Sequence, residues 1–303
     1  MQAVQFTEYG GPDVLQLVDV DEPHAGTGQI RIAVRAAGVN GIDWKIRSGA
    51  LSDGKPLPAP VGTGVDAAGV VDEVGEGVDD VEIGAAVFGT GSATFAEHAV
   101  LSSWAIKPAR LSFEEAAGYP VPVETAVRIL RAVGVQPGQM LLVSGASGGV
   151  GSAVLQIARE RGIAVIGTAG DRNQEYLRSL GAVATTYGDG LVGRVRALAP
   201  QGIDAALDLA GSGVIPELIE LTGEPSRVLS IADFGAPEYG AQVSSESANA
   251  MDAFTEAARL FTAGTFRIPV AKTFPLAAAG EAQAASAAGH VAGRFVVIVR
   301  QRD

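Results

Sequence analysis

The stretch that most constrains the fold is residues 141–173, LLVSGASGGVGSAVLQIARERGIAVIGTAGDRN. An apolar run of strand length ends in a knot of glycines. A segment with helical spacing follows, then a second apolar run, IAVIGTA. A chain turns this sharply from strand to helix where glycines relieve the backbone sterics. Two strands joined through a helix run parallel in one sheet, with a right-handed crossover. The alternation continues: NQEYLRSLG reads as helix, IDAALDLAG as strand, GVIPELIEL as helix and RVLSIAD as strand. Repeated β-α-β predicts an α/β fold with a doubly wound parallel sheet covered by helices.

Before residue 111 the texture differs. MQAVQFTEYGG is a short alternating segment closed by a Gly-Gly turn, and QIRIAVRAAGVN alternates apolar and polar residues as a strand does. AAGVVDEVGEGVDD reads as a glycine-broken strand and AAVFGTGSATFAEHAV as a hairpin, so this region is β-rich. A helix starts at Ser112 in LSFEEAAGYPVPVETAVRILRAVGV, with glutamates in its first turn where the helix dipole favours them. Strand patterning returns in FRIPVAKTFPL and GRFVVIVRQ, on either side of an alanine-rich helix from Ala277 to Ala288. The expected division is a discontinuous β-rich domain, 1–109 with 266–303, and a dinucleotide-binding domain, 110–265.

Composition narrows the partners. A formal charge of −12 opposes nucleic-acid binding through bulk electrostatics. The chain has no cysteine, which removes disulfides, thiolate metal sites and cysteine catalysis. His24, His98 and His290 stand far apart in sequence, against a histidine metal cluster. The start lacks the basic and apolar regions of a signal peptide, and no apolar run reaches membrane-span length. A cytoplasmic protein with no membrane partner is expected.

The glycine turn reads Ala146-x-Gly148-x-x-Gly151, preceded by Gly145. Ala146, Ser147, Gly148, Gly149, Val150 and Gly151 form the expected phosphate cradle, where a missing Cβ admits a pyrophosphate and the helix N-terminus offers free N–H groups. An NAD site ordinarily carries an acid at the end of the second strand, on the ribose 2′-hydroxyl. Here that strand ends in Ala169, and Arg172 follows, whose guanidinium suits a 2′-phosphate. Tyr187 is placed to cover the adenine edge, whereas Asp171 would repel the phosphate if it pointed inward. Taken singly, Arg172 and Tyr187 read equally well as solvated loop residues. The missing acid and Arg172 together favour NADPH over NADH.

Several segments resemble, in order along the chain, the medium-chain dehydrogenase/reductase superfamily in its zinc-free quinone oxidoreductase branch, near the enone reductases. They are YGGPDVLQL, AAGVNGIDWKIRSG, VGTGVDAAGVVDEVGEGV, LSFEEAAGYPVPVETA, SGASGGVG and GHVAGRFVVIV. The resemblance implies a Rossmann domain with a GroES-like catalytic domain, a homodimer, and a small-molecule quinone or enone as substrate. Asn40 stands where zinc alcohol dehydrogenases place a cysteine ligand, Val65 where they place a histidine and Asp66 where they place a glutamate, so no metal is expected. The family's segment beside the nicotinamide makes Asn40, Asp43 and Lys45 the candidate catalytic residues: Asn40 as a donor to the substrate carbonyl or a holder of the carboxamide, Asp43 as a positioning group, Lys45 on the ribose or the developing enolate. Thr125 stands where the family places a hydroxyl near the cofactor. Arg294 beside Gly293 reads as a surface residue. Two alternatives stay open: a non-catalytic NADPH-binding sensor, and a tailoring enoyl reductase acting on a larger biosynthetic intermediate.

Overall fold

In the computed structural model, which describes residues 1–244 and 250–300, the alternating N-terminal segments become strands. These are β1 (Gln2–Phe6), β2 (Gln16–Asp19) and β3 (Ile30–Gly38), followed by helix α1 (Gly41–Arg47). Then come β4 (Val61–Gly62), β5 (Asp66–Val74), β6 (Ala86–Ser92) and β7 (His98–Ile106), and the helices α2 (Phe113–Ala117) and α3 (Pro120–Val133). The period of two is visible in β3, where Ile30, Ile32 and Val34 are fully buried and Arg31 and Arg35 are not. Ser112 caps α2 by accepting the Glu115 N–H at 3.1 Å. The single helix expected from Ser112 is two: α2 stops at Gly118, and Pro120, which has no N–H to give, opens α3.

The next elements alternate strand and helix up to the last two strands. They are β8 (Met140–Ser144), α4 (Gly149–Glu160), β9 (Ala164–Thr168), α5 (Gln174–Ser179), β10 (Val183–Thr185), α6 (Leu191–Leu198), β11 (Ala205–Asp208), α7 (Ile215–Thr222), β12 (Val228–Ser230) and β13 (Gln242–Val243). All neighbours pair in parallel, in the order β10-β9-β8-β11-β12-β13. This is the Rossmann order, with its reversal between β8 and β11. Leu142, Ile166 and Ala206 on the sheet pack with Leu191, Val195, Ile215 and Leu218 of α6 and α7.

The chain ends with α8 (Ala250–Thr262), β14 (Val270–Pro275), α9 (Ala279–Ala288) and β15 (Arg294–Ile298). The β-rich sheet has the order β14-β15-β3-β5-β6-β7, and β7 also pairs with β3, so four strands close on themselves and hide their edges. Two compact units result, residues 1–121 with 249–303, and residues 122–248. These boundaries differ from 109/110 and 265/266 for packing reasons. A Cβ on Gly38 would lie 2.3 Å from the Ala117 carbonyl oxygen, so α2 rests directly on the end of β3. Helix α8 buries Ala253, Phe254, Ala257 and Leu260 on one face, and Phe254 meets Phe88 of β6 with ring centroids 6.0 Å apart. Among the described residues no helix is long and apolar enough to cross a membrane.

Candidate functional site

In the Rossmann unit, β8 leaves its sheet through Gly145, whose φ of +78° is the left-handed conformation of the turn. Because Gly145 carries that strain, Ala146 can stand where the usual fingerprint has its first glycine. Its methyl group is received by Gly167 of β9, where a Cβ would come within 2.9 Å of it. Gly151 keeps the helix tight against the turn: a Cβ there would lie 2.4 Å from the Ala146 carbonyl oxygen. Gly148 is different. It caps α4 at φ −72°, a conformation open to any residue, and the nearest atom to a Cβ there is the Gly145 carbonyl oxygen at 3.9 Å. The protein itself leaves that space empty at the N-terminus of α4, as a cradle for a pyrophosphate requires. Ser147, Gly149 and Val150 complete the turn.

The carboxyl ends of β9 and β10 lie beside this cradle. Ala169 is buried and carries no acid, and the turn Asp171–Asn173 exposes Asp171 and Arg172. Asn173 Nδ2 donates to Ser147 Oγ at 3.2 Å, tying the turn to the cradle. Gln174 Nε2 donates to the carbonyls of Ala169 and Thr185 at 2.7 and 2.9 Å. Tyr187 is half-exposed, with its hydroxyl 3.6 Å from where a Cβ of Gly170 would sit. The fold therefore gathers the cradle, the Arg172 turn and Tyr187. Thr125 is buried on α3, its hydroxyl 3.4 Å from Arg128 Nη2.

A carboxylate that sequence reasoning missed secures the switch point. Asp208, fully buried at the end of β11, accepts the N–H groups of Ala210 and Gly211 through Oδ1 and the Ser230 hydroxyl through Oδ2 at 2.8 Å. Ser230 Oγ accepts in turn from the N–H groups of Ala232 and Asp233. The signal was an aspartate ahead of a glycine, the pattern of an Asx turn.

In the β-rich unit, strand register assembles a buried polar cluster. β3 pairs antiparallel with β5, Gly38 opposite Asp66, and with β15, Gly38 opposite Val296. Carrying the second register forward sets Arg294 opposite Asn40. Asn40 Nδ2 donates to Asp66 Oδ2 at 2.9 Å, and its Oδ1 accepts from Arg294 Nη2 at 2.7 Å. A carboxylate on one side and a guanidinium on the other fix which end of the amide is which. Arg294 Nη2 also reaches Asp66 Oδ2 at 3.2 Å, and Asp66 Oδ1 accepts the Val121 N–H at 3.0 Å. Arg294 is 8% exposed and belongs to this cluster, not to the surface where its sequence context put it. The misreading has a physical cause: the ion pair joins residues 228 apart in sequence, and no local pattern records it.

Asp43, at the third position of α1, accepts the Asn40 N–H through Oδ2 at 2.7 Å. Its Oδ1 is buried with no hydrogen-bond partner among the described residues. Burial, opposed by the Asn40 hydrogen bond and reinforced by the Asp66 charge, lifts its carboxyl to about 7. Burial also pulls the Arg294 guanidinium downward against the pull of Asp66 and Asp43. Lys45 lies half-buried in the last turn of α1, its Nζ 5.8 Å from the centre of the Trp44 ring. Asn40 and Asp43 thus meet in one cluster, with Asp66 and Arg294 as its unforeseen members. Elsewhere, His98 Nδ1 lies 2.8 Å from Asp72, which also holds Arg31.

A Rossmann sheet with a glycine turn, and a second unit built round a closed β sheet with a buried polar cluster, define an oxidoreductase of the two-domain dehydrogenase type. Residues 26–109 match the alcohol dehydrogenase GroES-like domain, and residues 180–297 the zinc-binding dehydrogenase domain. The quinone oxidoreductase of Sus scrofa is 33% identical over 248 residues, 78% of this chain and 75% of that protein. The chain belongs to the medium-chain dehydrogenase/reductase superfamily, among its quinone oxidoreductases. The 2-methylene-furan-3-one reductase of Solanum lycopersicum is 37% identical over 197 residues, 60% of this chain and 50% of that one. The solved quinone oxidoreductase of Coxiella burnetii superposes with a TM-score of 0.83 at 29% identity, covering 99% of each chain. A mycobacterial protein solved with NADPH gives 0.83 at 27% identity, covering 98% of this chain and 100% of its own. Among the described residues no group of three or more His, Cys, Asp or Glu side chains is gathered as a metal site.

Proposed function

We propose that the chain is an NADPH-dependent reductase that delivers hydride to a quinone or to the β-carbon of an α,β-unsaturated carbonyl, without zinc. The observation that carries this reading is the open space at Gly148, on a glycine turn whose following strand ends without an acid and leads to an exposed arginine. The names of the relatives, quinone oxidoreductase and 2-methylene-furan-3-one reductase, support the class of acceptor. Bound NADPH supplies the hydride. Arg172 would hold the 2′-phosphate, and Tyr187 the adenine edge. Asn40 has one Nδ2 hydrogen beyond that given to Asp66, and this is the donor proposed for the acceptor's oxygen. The guanidinium on Asn40 Oδ1 polarises the amide and strengthens that donor. Asp66 and Asp43 position the amide, and Lys45, the cation of the Asn40–Lys45 segment, is assigned to the nicotinamide ribose or the developing enolate. Family resemblance adds a homodimer, for which sedimentation at micromolar concentration is the check.

NADPH consumption is to be followed with a panel of quinones, small enones and carrier-bound enoyl compounds. Turnover of quinones or small enones is expected, with Asn40→Ala lowering kcat by about a hundredfold and Lys45→Met acting on turnover or on the Michaelis constant for NADPH. Tight NADPH binding without turnover of any acceptor would instead make the chain a sensor. Turnover of carrier-bound compounds alone would make it a tailoring enoyl reductase.

A further inference from the structure

The loop between β10 and α6 is built inside out. Its four consecutive carbonyls at Thr186, Tyr187, Gly188 and Asp189 all turn toward one side chain, Arg194. Arg194 Nη1 donates to the Asp189 carbonyl at 2.6 Å, and Nη2 to those of Thr186, Gly188 and Tyr187 at 3.1, 3.1 and 3.3 Å. Four converging carbonyl dipoles repel one another unless a cation sits among them. The placement of Arg194 does not serve its own helix. It is the fourth residue of α6, where a positive charge opposes the helix dipole. The side chain folds back over the N-terminus of α6 and binds the loop.

What the loop carries is Tyr187. Its ring is half-exposed, and its hydroxyl stands over Gly170, two residues before Arg172. An exposed aromatic ring on a five-residue loop would sample many positions if the backbone were free. Here the backbone on both sides of the ring is pinned to one guanidinium.

We propose that Arg194 is a positioning residue of the cofactor site, acting through the loop to hold Tyr187 in place for the adenosine end of NADPH. The inference rests on the reading of Tyr187 as a cofactor contact. In this role Arg194, engaged with the loop carbonyls, acts on the cofactor through one side chain. A double-mutant cycle therefore separates it from a general structural role.

NADPH and NADH are to be titrated into the wild-type full chain, Arg194→Gln, Tyr187→Ala and the double variant, with thermal unfolding of each recorded alongside. Tyr187→Ala is expected to weaken both cofactors by about tenfold, since an aromatic face reads adenine and not the 2′-phosphate. Arg194→Gln is expected to give a comparable loss for both, and the double variant to bind no worse than the weaker single one. Arg194→Lys keeps the charge but cannot span four carbonyls, so it should show part of the loss. It also serves as the readout if Arg194→Gln does not fold. Additive losses, or unchanged affinity in the Arg194 variants while Tyr187→Ala binds poorly, would overturn the positioning role alone. Unchanged binding in Tyr187→Ala would overturn the reading of Tyr187 itself, and this inference with it.

Discussion

Arg172 is a single exposed guanidinium on the turn after β9, and its proposed task depends on a group that only one of the two cofactors carries. Arg172→Ala should therefore weaken NADPH and leave NADH nearly unchanged. A charge-assisted contact of this kind is worth about 1.5–3 kcal/mol, and solvent screening at an exposed site favours the lower end. Cofactor titration is the check, and equal losses for both cofactors would remove Arg172 as the discriminating residue. Asp43 makes a different kind of prediction. Its carboxyl titrates at about 7 when folded, against an ordinary 3.8. Between those values the folded state holds a proton that the unfolded state has released. The contribution of Asp43 to stability then falls as pH rises through about 4 to 7 and levels off above. Asp43→Asn keeps an oxygen for the Asn40 N–H and has nothing to titrate. Its stability relative to wild type should rise across that window, by up to about 4 kcal/mol. Urea midpoints at several pH values read this directly, and a pH-independent difference between the two proteins would contradict it. Arg172 and Tyr187 could be proposed from the sequence because each follows a strand of the β-α-β pattern, and Asn40 because its segment resembles one of the family's. Arg294 was not, because its partner Asn40 is 254 residues away in the chain.

At the level of the element, the strand–turn–helix of β8 and α4 is the part of the fold most fully written in the sequence. Its determinants are local: a left-handed turn at Gly145 and a close approach at Gly151. Two glycines of that turn should answer to substitution in opposite ways. Gly151→Ala drives a methyl group into the Ala146 backbone and should destabilise the fold by several kcal/mol, as overpacking against main chain does. Gly148→Ala meets no protein atom closer than 3.9 Å and has a permissive φ, so stability should change by no more than about 1 kcal/mol. Its cofactor affinity should nonetheless drop at least tenfold, because the methyl group occupies the space proposed for the pyrophosphate. Thermal unfolding and NADPH titration of the two variants distinguish a residue kept for folding from one kept for a ligand. Elements whose neighbours are distant were read less well. Helix α8 carries its apolar stripe at plain helical spacing, but nothing in that stripe says that it packs on Phe88 of β6 and not on the parallel sheet.

Across the whole molecule, the buried charges settle how the chain can be expected to handle a metal. By the superfamily resemblance, the positions at which zinc alcohol dehydrogenases carry cysteine, histidine and glutamate correspond to Asn40, Val65 and Asp66, and the chain supplies no cysteine. A cation lodged at Asn40 and Asp66 would have to displace Arg294, whose guanidinium already sits on Asn40 Oδ1 and Asp66 Oδ2. The remaining Asp66 oxygen is held by the Val121 N–H. Expelling a paired buried arginine leaves an uncompensated charge, at a cost of about 3–5 kcal/mol, which an amide and one carboxylate are poor ligands to offset. Prolonged treatment with a chelator should therefore leave NADPH oxidation unchanged, and added zinc should neither raise the rate nor shift thermal unfolding. Elemental analysis of the purified protein should show no stoichiometric zinc. Activity lost to the chelator and restored by zinc would mean that Arg294 gives way to a metal, and the role assigned to the Asn40 amide would fall with it.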